Sequence, residues 1–442
     1  MNKDILKLAI PSIITNISVP LLSSVDTAMV GHLEFQYYLG GVAIGAMIFN
    51  FIFWAFGFLR MGTTGLTAQA YGESNHRECG LILSRAVLVA LIAGTALIVL
   101  QYVIKWAAFA SVTASPEVEE QAAIYYNIRI WSAPAALFIY AIQGWFLGMQ
   151  NARYPMIIAI FINCVTIGLD VFFLQVLHMK VAGVALGTLI AQYCGVGLAL
   201  ILFSLKYREY AKGVVRKQIL ELVALKKFFV VNRDIFLRTM LLIATYTFFT
   251  AKSAAYGDTV LSANTILMQL WMILAYGVDG FAFAAESLVG RFVGARDLPN
   301  LKKAVKLIFA WSLGLGAFVS LGYLLFGENI VRLFTDNETV VSAAMAFFIW
   351  TIIAPLVNGI CFVWDGVFIG ATATRAMLIS MSVATLVFYF PVYYLAEPSL
   401  GNHSLWLAMI AYMVVRGVTL TFYAPGAVFR KISQAGTAGG FS

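Results

Sequence analysis

Twelve apolar segments, each long enough to cross a lipid bilayer, are the feature that most limits how this chain can fold. Their approximate limits are 6–31, 39–66, 82–104, 120–148, 154–177, 182–205, 233–256, 260–288, 303–325, 340–370, 376–396 and 404–425. A spanning helix needs about 20 apolar residues. Because an isolated span satisfies its backbone hydrogen bonds in lipid only as a helix, the pattern predicts an all-α membrane protein with twelve transmembrane helices.

Basic residues lie mainly in every second connection between these segments. The connection between spans 6 and 7 holds Lys206, Arg208, Lys212, Arg216, Lys217, Lys226, Lys227 and Arg233. Loops rich in Lys and Arg remain on the cytoplasmic side, so both termini and this linker are predicted to be cytoplasmic. The net charge of +8 is thus spread over loops. Without a basic patch on a soluble domain, we expect no nucleic-acid partner.

The two halves of the chain show a weak internal repeat. Four pairs of residues are each separated by 222 positions, close to half of the 442-residue chain. They are Gly72 with Gly294, Gly144 with Gly366, Gly148 with Gly370, and Arg153 with Arg375. A constant spacing predicts two copies of a six-helix unit with the same orientation in the membrane.

This repeat predicts a domain organisation of two six-helix lobes related by a pseudo-twofold axis along the membrane normal. We expect an N-terminal lobe over residues 1–205, a cytoplasmic linker over 206–232 and a C-terminal lobe over 233–442. The linker is interpreted as a solvated tether. In such architectures, substrates bind between the lobes, and rocking of the lobes gives alternating access.

Asp26 is the only charged residue in the run from Leu8 to Gly31. A carboxylate inside a membrane span costs about 3 kcal/mol or more unless it is protonated, paired or hydrated. Asp170 lies at a similar predicted depth in span 5, so the two acids can share one proton. The alternative for each is a structural ion pair.

Polar residues near these acids complete a candidate proton-coupling pocket. Asn163 and Thr166 precede Asp170 by about two turns and one turn of helix. Pro20 precedes Asp26 and removes the helical hydrogen bond to the carbonyl of Asn16, which favours a bend in span 1. A proton-dependent bend and an ordinary static kink both fit this pattern.

The second half carries different acids. Asp279 and Glu286 lie in span 8 and Asp365 lies in span 10. The 222-residue spacing places Gly57 opposite Asp279 and Gln143 opposite Asp365, so these acids have no equivalents in the first half. We interpret all three as possible substrate-binding residues, with structural ion pairs as the alternative.

The sequence shows no motif that indicates an enzyme. It contains no phosphate-binding loop, no hydrolase-type nucleophile motif, and no His or Cys pair with metal-ligand spacing. We therefore expect no catalytic residues, no metal site and no cofactor, and ATP is not expected to be the energy source. An intramembrane enzyme remains an alternative that would need such a constellation at membrane depth.

Several motifs resemble the DinF branch of the multidrug and toxic compound extrusion (MATE) family. They include VPLLSSVDTAMVGHL around Asp26, FLRMGTTGLTAQAYG from Phe58, GLDVFFLQVLHMKVAGVALGT from Gly168, YGVDGFAFAAE from Tyr276 and DGVFIGAT from Asp365. The resemblance covers nearly the whole chain. It implies two six-helix lobes arranged as a V, and export driven by inward flow of H⁺ or Na⁺.

The resemblance also assigns residues. Asp26 and Asp170 match the acids of the family's cation-coupling site, and Thr188 matches a threonine of the same pocket. Thr166 stands where the family often has Asn, and Asn163, a further turn back, is the alternative source of that amide. Because a hydroxyl is a weaker cation ligand than an amide carbonyl, this difference favours H⁺ over Na⁺.

Together these observations predict a secondary antiporter that exports lipophilic, often cationic compounds in exchange for H⁺. We expect a monomer in the inner or plasma membrane. A Na⁺-coupled exporter and a flippase for lipid-linked precursors are the alternatives. A flippase is expected to have a strongly basic central cavity for phosphates, and the intramembrane acids argue against it.

Overall fold

The structure, a computed structural model, describes residues 1–31, 35–112, 114–212 and 215–430. Within them, the side chains of Ser23, Ser24, Asp26, Thr27, Ala28 and Arg216 lie outside the description. The first half contains α1 (Asn2–Gly31), α2 (Gln36–Ala55), α3 (Phe58–Gly72), α4 (His76–Val99), α5 (Gln101–Ala110), α6 (Pro116–Arg129), α7 (Ala133–Gly148), α8 (Arg153–Val171), α9 (Lys180–Lys206) and the short α10 (Arg216–Ile219).

The second half contains α11 (Leu222–Ala255), α12 (Asp258–Gly294), α13 (Leu298–Arg332), α14 (Glu338–Gly370), α15 (Thr374–Ser382), α16 (Phe390–Leu400) and α17 (His403–Ala424). Short π-helical segments follow α8 (Phe172–Val176), α15 (Val383–Tyr389) and α17 (Pro425–Arg430). The described residues contain no strand.

These helices match the twelve predicted spans. Eleven of the predicted spans coincide with a described helix, or with consecutive helices, long and apolar enough to cross a membrane. The remaining one is α11, whose N-terminal half carries the charged residues Lys226, Lys227, Arg233, Asp234 and Arg238. The chain is an all-α membrane protein with twelve transmembrane helices, six in each half of the sequence, as predicted.

The second and fourth spans are each divided into two helices. The second span divides into α2 and α3 at Phe56 and Gly57. The fourth divides into α6 and α7 at a 3₁₀ turn over Ile130–Ser132, just before Pro134. A proline lacks the N–H that would continue the helical ladder, which explains the second break.

The chain forms two compact units that do not coincide with the two halves of the sequence. The unit called here the first unit contains Ile14–Thr67 and Asn75–Phe228. The second unit contains Met1–Ile13, Ala68–Ser74 and the chain from Phe229 onward. The division into lobes at residues 205 and 233 stays a prediction.

The internal repeat recurs in the contacts within each unit. In the first unit, a Cβ added to Gly144 would overlap the carbonyl oxygen of Arg60. In the second unit, a Cβ added to Gly366 would overlap that of Ala282. Both members of this contact are shifted by the same 222 positions. A shared close helix crossing, and not only a shared residue type, therefore underlies the repeat.

The turns repeat as well. Ser74 and Arg296 both have positive φ angles, 57° and 55°. Each is followed by a helix cap, because the Asn75 side chain accepts from the amide of Glu78 and that of Asp297 accepts from the amide of Asn300. The side-chain caps satisfy amides that a helix start leaves unpaired.

The linker after α9 is partly docked on the first unit. The buried Arg85 side chain of α4 donates from Nη2 to the carbonyl of Gln218 at 2.9 Å and from Nε to that of Ile219 at 3.3 Å. Its Nη1 contacts Glu78 at 2.7 Å. Tyr210 packs edge-on against Trp145. An arginine and an aromatic cluster therefore contact part of the linker, although most of its described residues are exposed, and the interpretation as a solvated tether stays a prediction.

Candidate functional site

Asp170 lies in the first unit near the C-terminal end of α8 and is fully buried, with 0% of its surface exposed. Asn163, Thr166 and Asp170 are spaced by three and four residues, which places them on one face of α8. The π-helical turn begins two residues after Asp170, at Phe172. Such turns occur frequently at functional sites.

The carboxylate of Asp170 packs directly against the backbone of α9. A Cβ built on Gly187 would overlap the Oδ1 atom of Asp170 and would lie 3.4 Å from the Cβ of Leu169. Thr188, the next residue on α9, is 5% exposed. The structure therefore brings Asp170 to the α9 turn that contains Thr188.

The two threonine hydroxyls direct their hydrogens into their own helices. Thr166 donates to the carbonyl of Ile162 at 2.9 Å, and Thr188 donates to that of Val184 at 3.0 Å. In this arrangement each hydroxyl offers the pocket only acceptor lone pairs.

Asn163 connects α8 to α1. Its Nδ2 donates to the carbonyl of Ser18 at 3.0 Å, two residues before Pro20. The helix α1 continues through Pro20 and past Asp26 to Gly31. The side chain of Asp26 lies outside the described residues, so its sharing of a proton with Asp170 stays a prediction, as does a bend at Pro20.

Asp365 lies in the second unit between two arginines. Its Oδ2 atom accepts from Nη2 of Arg416 at 2.5 Å and from Nη2 of Arg238. All three residues are buried, with exposed fractions of 7%, 1% and 5% for Asp365, Arg416 and Arg238. The carboxylate charge is thus compensated by arginines from α11 and α17.

The other two acids of the second half lie on α12. Glu286 is buried, and its carbonyl oxygen faces Gly370 in a close helix contact. Asp279 is half-buried and lies near enough to Tyr246 and Tyr276 to interact electrostatically with both. A substrate-binding role for Asp279, Glu286 and Asp365 stays a prediction.

Some polar residues of these bundles are absent from the sequence-based candidates. Arg238 and Asp234 lie within the predicted seventh span, and Asp234 contacts Thr374 at 3.3 Å and Arg233 at 2.8 Å. The signal for both was present, since a charge within a predicted span requires a partner. Gly187 carried no such signal, because a helical glycine has many possible causes.

A surface groove lies outside this site, and the described residues form no cluster of metal ligands. A groove of about 580 Å³ on the first unit is lined by Trp131, Leu189, Ile190, Tyr193 and Cys194. It contains none of the predicted residues. Within the described part of the chain, no three His, Cys, Asp or Glu side chains are grouped to hold a metal ion.

Comparisons with known proteins agree with this description. The MatE family model matches residues 11–172 and 235–395, one segment in each half of the chain. The DNA damage-inducible protein F of Escherichia coli (strain K12) is 40% identical over 442 residues, which cover 99% of this chain and 94% of that protein.

More distant relatives extend the match. The human Multidrug and toxin extrusion protein 1 is 25% identical over 94% of this chain and 73% of its own length. Among solved structures, the bent form of the Vibrio cholerae MATE transporter VcmN superposes with a TM-score of 0.87 at 17% identity, covering 98% of both chains. At that identity, the superposition shows the fold alone.

Proposed function

The chain belongs to the MATE family of membrane transporters, and on this premise we propose that it exports lipophilic, often cationic compounds in exchange for protons. Family membership makes it a multi-pass membrane transporter of small molecules and not an enzyme. The coupling ion, the antiport direction and the substrate preference belong to the proposal.

One observation carries the proposal: the carboxylate of Asp170 is fully buried in a helix bundle and seated on the backbone of α9. A buried carboxylate that becomes ionised must recover the lost hydration from partners or water. Protonation neutralises the carboxylate and so removes the cost of its lost hydration, and it needs no set of coordinating ligands. Asp170 is therefore suited to bind and release protons.

Asp26 is the second acid of the proposed site. It lies on α1, the helix that Asn163 of α8 contacts at Ser18. In the proposed cycle, Asp26 and Asp170 hold one proton between them, and its arrival changes the packing of α1 near Pro20. Substrate and proton then compete, so that protonation from outside promotes substrate release.

Na⁺ coupling is the less favoured alternative. A hard cation prefers several oxygen ligands, including carbonyls and ionised carboxylates. Two of the oxygens that the predicted pocket offers are the hydroxyls of Thr166 and Thr188. These are weaker ligands than an amide carbonyl, which favours a proton at this site.

We propose that the protein lies in the inner or plasma membrane with both termini and the linker in the cytoplasm. The concentration of basic residues in the linker supports this orientation. Aromatic residues form 14% of the chain. Where their rings line a substrate path, they would suit flat and cationic compounds.

Transport in proteoliposomes tests the proposal. Efflux of a cationic dye is measured under an H⁺ gradient alone and under a Na⁺ gradient alone. We expect the H⁺ gradient to drive transport and Asp170→Asn to abolish it. Asp258→Asn is the control, because Asp258 is an exposed residue at the start of α12. Transport driven only by Na⁺ would contradict proton coupling.

A flippase for lipid-linked precursors is the second candidate. It is favoured by the two arginines that converge on Asp365 and give this buried group a net positive charge. A phosphate could interact with such a group. The same proteoliposomes, loaded with a fluorescent lipid pyrophosphate, distinguish the two functions.

A further inference from the structure

Gly187 occupies a position on α9 where an added side chain would force the Asp170 carboxylate to move. The added Cβ would overlap Oδ1 of Asp170 and lie 3.4 Å from its carboxyl carbon. The helices α8 and α9 therefore approach each other closely at this point, and the carboxylate fills the space that a Cβ would occupy.

Other glycines of α9 show what is specific to this position. A Cβ on Gly183 would lie 2.8 Å from the Cβ of Phe173, and one on Gly195 would lie 2.5 Å from Cδ1 of Ile162. Both contacts are with apolar atoms of the neighbouring segment. Gly197 meets nothing within 4 Å. Of these four glycines, Gly187 is the one that meets a carboxylate.

A glycine within a helix needs a compensating reason. Replacing alanine by glycine there costs roughly 1 kcal/mol. At Gly183 and Gly195, close apolar packing of two helices is a sufficient reason. At Gly187, the compensating feature is the space next to the α9 backbone that the buried carboxylate of Asp170 occupies.

We propose that Gly187 is a positioning residue that seats the Asp170 carboxylate against the α9 backbone and so fixes the geometry in which Asp170 binds its proton. This inference rests on the proposed function, in which Asp170 is a coupling acid. A Cβ at position 187 would displace the carboxylate from this seat. The distance from Asp170 to Thr188 and to the pocket around Asn163 would then change.

The test measures the protonation of Asp170 directly. Infrared difference spectra of the full-length protein in nanodiscs are recorded across a pH titration, and the carbonyl band of the protonated acid is assigned as the band lost in Asp170→Asn. We expect Gly187→Ala to move the titration midpoint of this band by about one pH unit. Transport driven by an H⁺ gradient should fall at least tenfold.

Two matched variants separate positioning from packing. Gly183→Ala overpacks the same helix against Phe173 without touching an acid, and Gly197→Ala adds a methyl group in open space. Both should leave the titration midpoint of Asp170 unchanged, even if Gly183→Ala lowers the thermal stability. An unchanged midpoint in Gly187→Ala, or an equal shift in Gly183→Ala, would overturn the proposal.

A second variant covers the case in which Gly187→Ala fails to fold. Asp170→Glu lengthens the side chain by one methylene and so moves the carboxyl group away from Gly187, and its carbonyl band should titrate at a midpoint shifted by more than the roughly 0.4 units that separate free Asp and Glu. A smaller shift would overturn the proposal. If the titration midpoints shift but an H⁺ gradient does not drive transport by the wild-type protein, the proposed function fails and the positioning role of Gly187 stands.

Discussion

Gly72 and Gly294 make the same contact in opposite directions. A Cβ on Gly72 would overlap the carbonyl oxygen of Arg291, and a Cβ on Gly294 would overlap that of Gln69. Arg291 follows Gln69 by the same 222 positions that separate the two glycines. Within the second unit, the ends of α3 and α12 therefore cross about a local twofold axis.

Alanine at either glycine should destabilise the protein. A methyl group at position 72 or 294 overlaps a backbone oxygen that cannot rotate away, so we expect a loss of about 1–3 kcal/mol from overpacking. Gly322→Ala is the control, because Gly322 of α13 meets nothing within 4 Å. It should be neutral or slightly stabilising, since alanine favours helix. Thermal unfolding in detergent measures both, and equal melting temperatures for Gly72→Ala and Gly322→Ala would refute the crossing.

Neutralising Asp26 should abolish energised transport while leaving the fold intact. Asn resembles the protonated acid in size and charge, so Asp26→Asn should hold the first unit in its protonated-like state. Asp4→Asn on the same helix is the control, because Asp4 is 57% exposed and pairs with the N-terminus. Dye efflux and size-exclusion profiles are the measurements. Proton-driven efflux by a well-folded Asp26→Asn variant would be the contrary result.

Removal of Arg416 should destabilise the second unit strongly. Breaking a buried ion pair by deleting one partner costs about 3–5 kcal/mol, and Arg238 retains a contact with Asp365, so we expect the lower end for Arg416→Gln. Arg332→Gln is the comparison, because Arg332 pairs with Glu328 and Glu338 at an exposed position. Its effect should be much smaller, as surface pairs contribute little. Similar melting temperatures for the two variants would show that the buried group contributes no more than a surface pair.

Asp279 should influence the choice of substrate more than Asp365 does. The charge of Asp365 is compensated by two arginines, so Asp365→Asn should mainly lower stability. Asp279→Asn should weaken apparent affinity for cationic compounds several-fold and leave neutral compounds nearly unaffected. Competition binding with a cationic and a neutral dye measures this, and equal weakening for both dyes would contradict a role in charge recognition.

Arg85 should control protease access to the linker. Its charge-assisted hydrogen bonds hold the carbonyls of Gln218 and Ile219, and such bonds contribute about 1.5–3 kcal/mol each. Arg85→Ala should therefore raise the rate of trypsin cleavage at Arg208, Lys212 and Lys217 by at least tenfold. Glu328→Ala is the control, since it removes only an exposed contact with Arg332 on α13. Identical cleavage rates would indicate that other contacts hold the linker.

The helices and the repeat could be predicted because each rests on a local or regular signal. A run of about 20 apolar residues indicates a span. A fixed spacing between glycines indicates the repeat. The 222-residue spacing recurs in turns that were not used to find it, at Gln150 and Thr372, whose φ angles are 61° and 50°.

The partners of the charged residues could not be predicted in the same way. Asp365 was a candidate for substrate binding because the first half of the chain has no equivalent acid, yet its arginines come from α11 and α17, far away in the sequence. Only the packing of three helices brings them together. Gly187 is similar, since its role depends on which atom of α8 faces it.

The assignment of Met1–Ile13 to the second unit affects how the protein can be made. These residues leave the ribosome before the rest of their unit, which begins at Ala68 and continues only from Phe229. At typical synthesis rates, the roughly 215 residues between Ile13 and Phe229 take about 10–45 s to appear. The start of α1 must therefore spend that time without the rest of its unit. If the chain were cut in the linker, each fragment would lack part of a unit that only the other fragment contains.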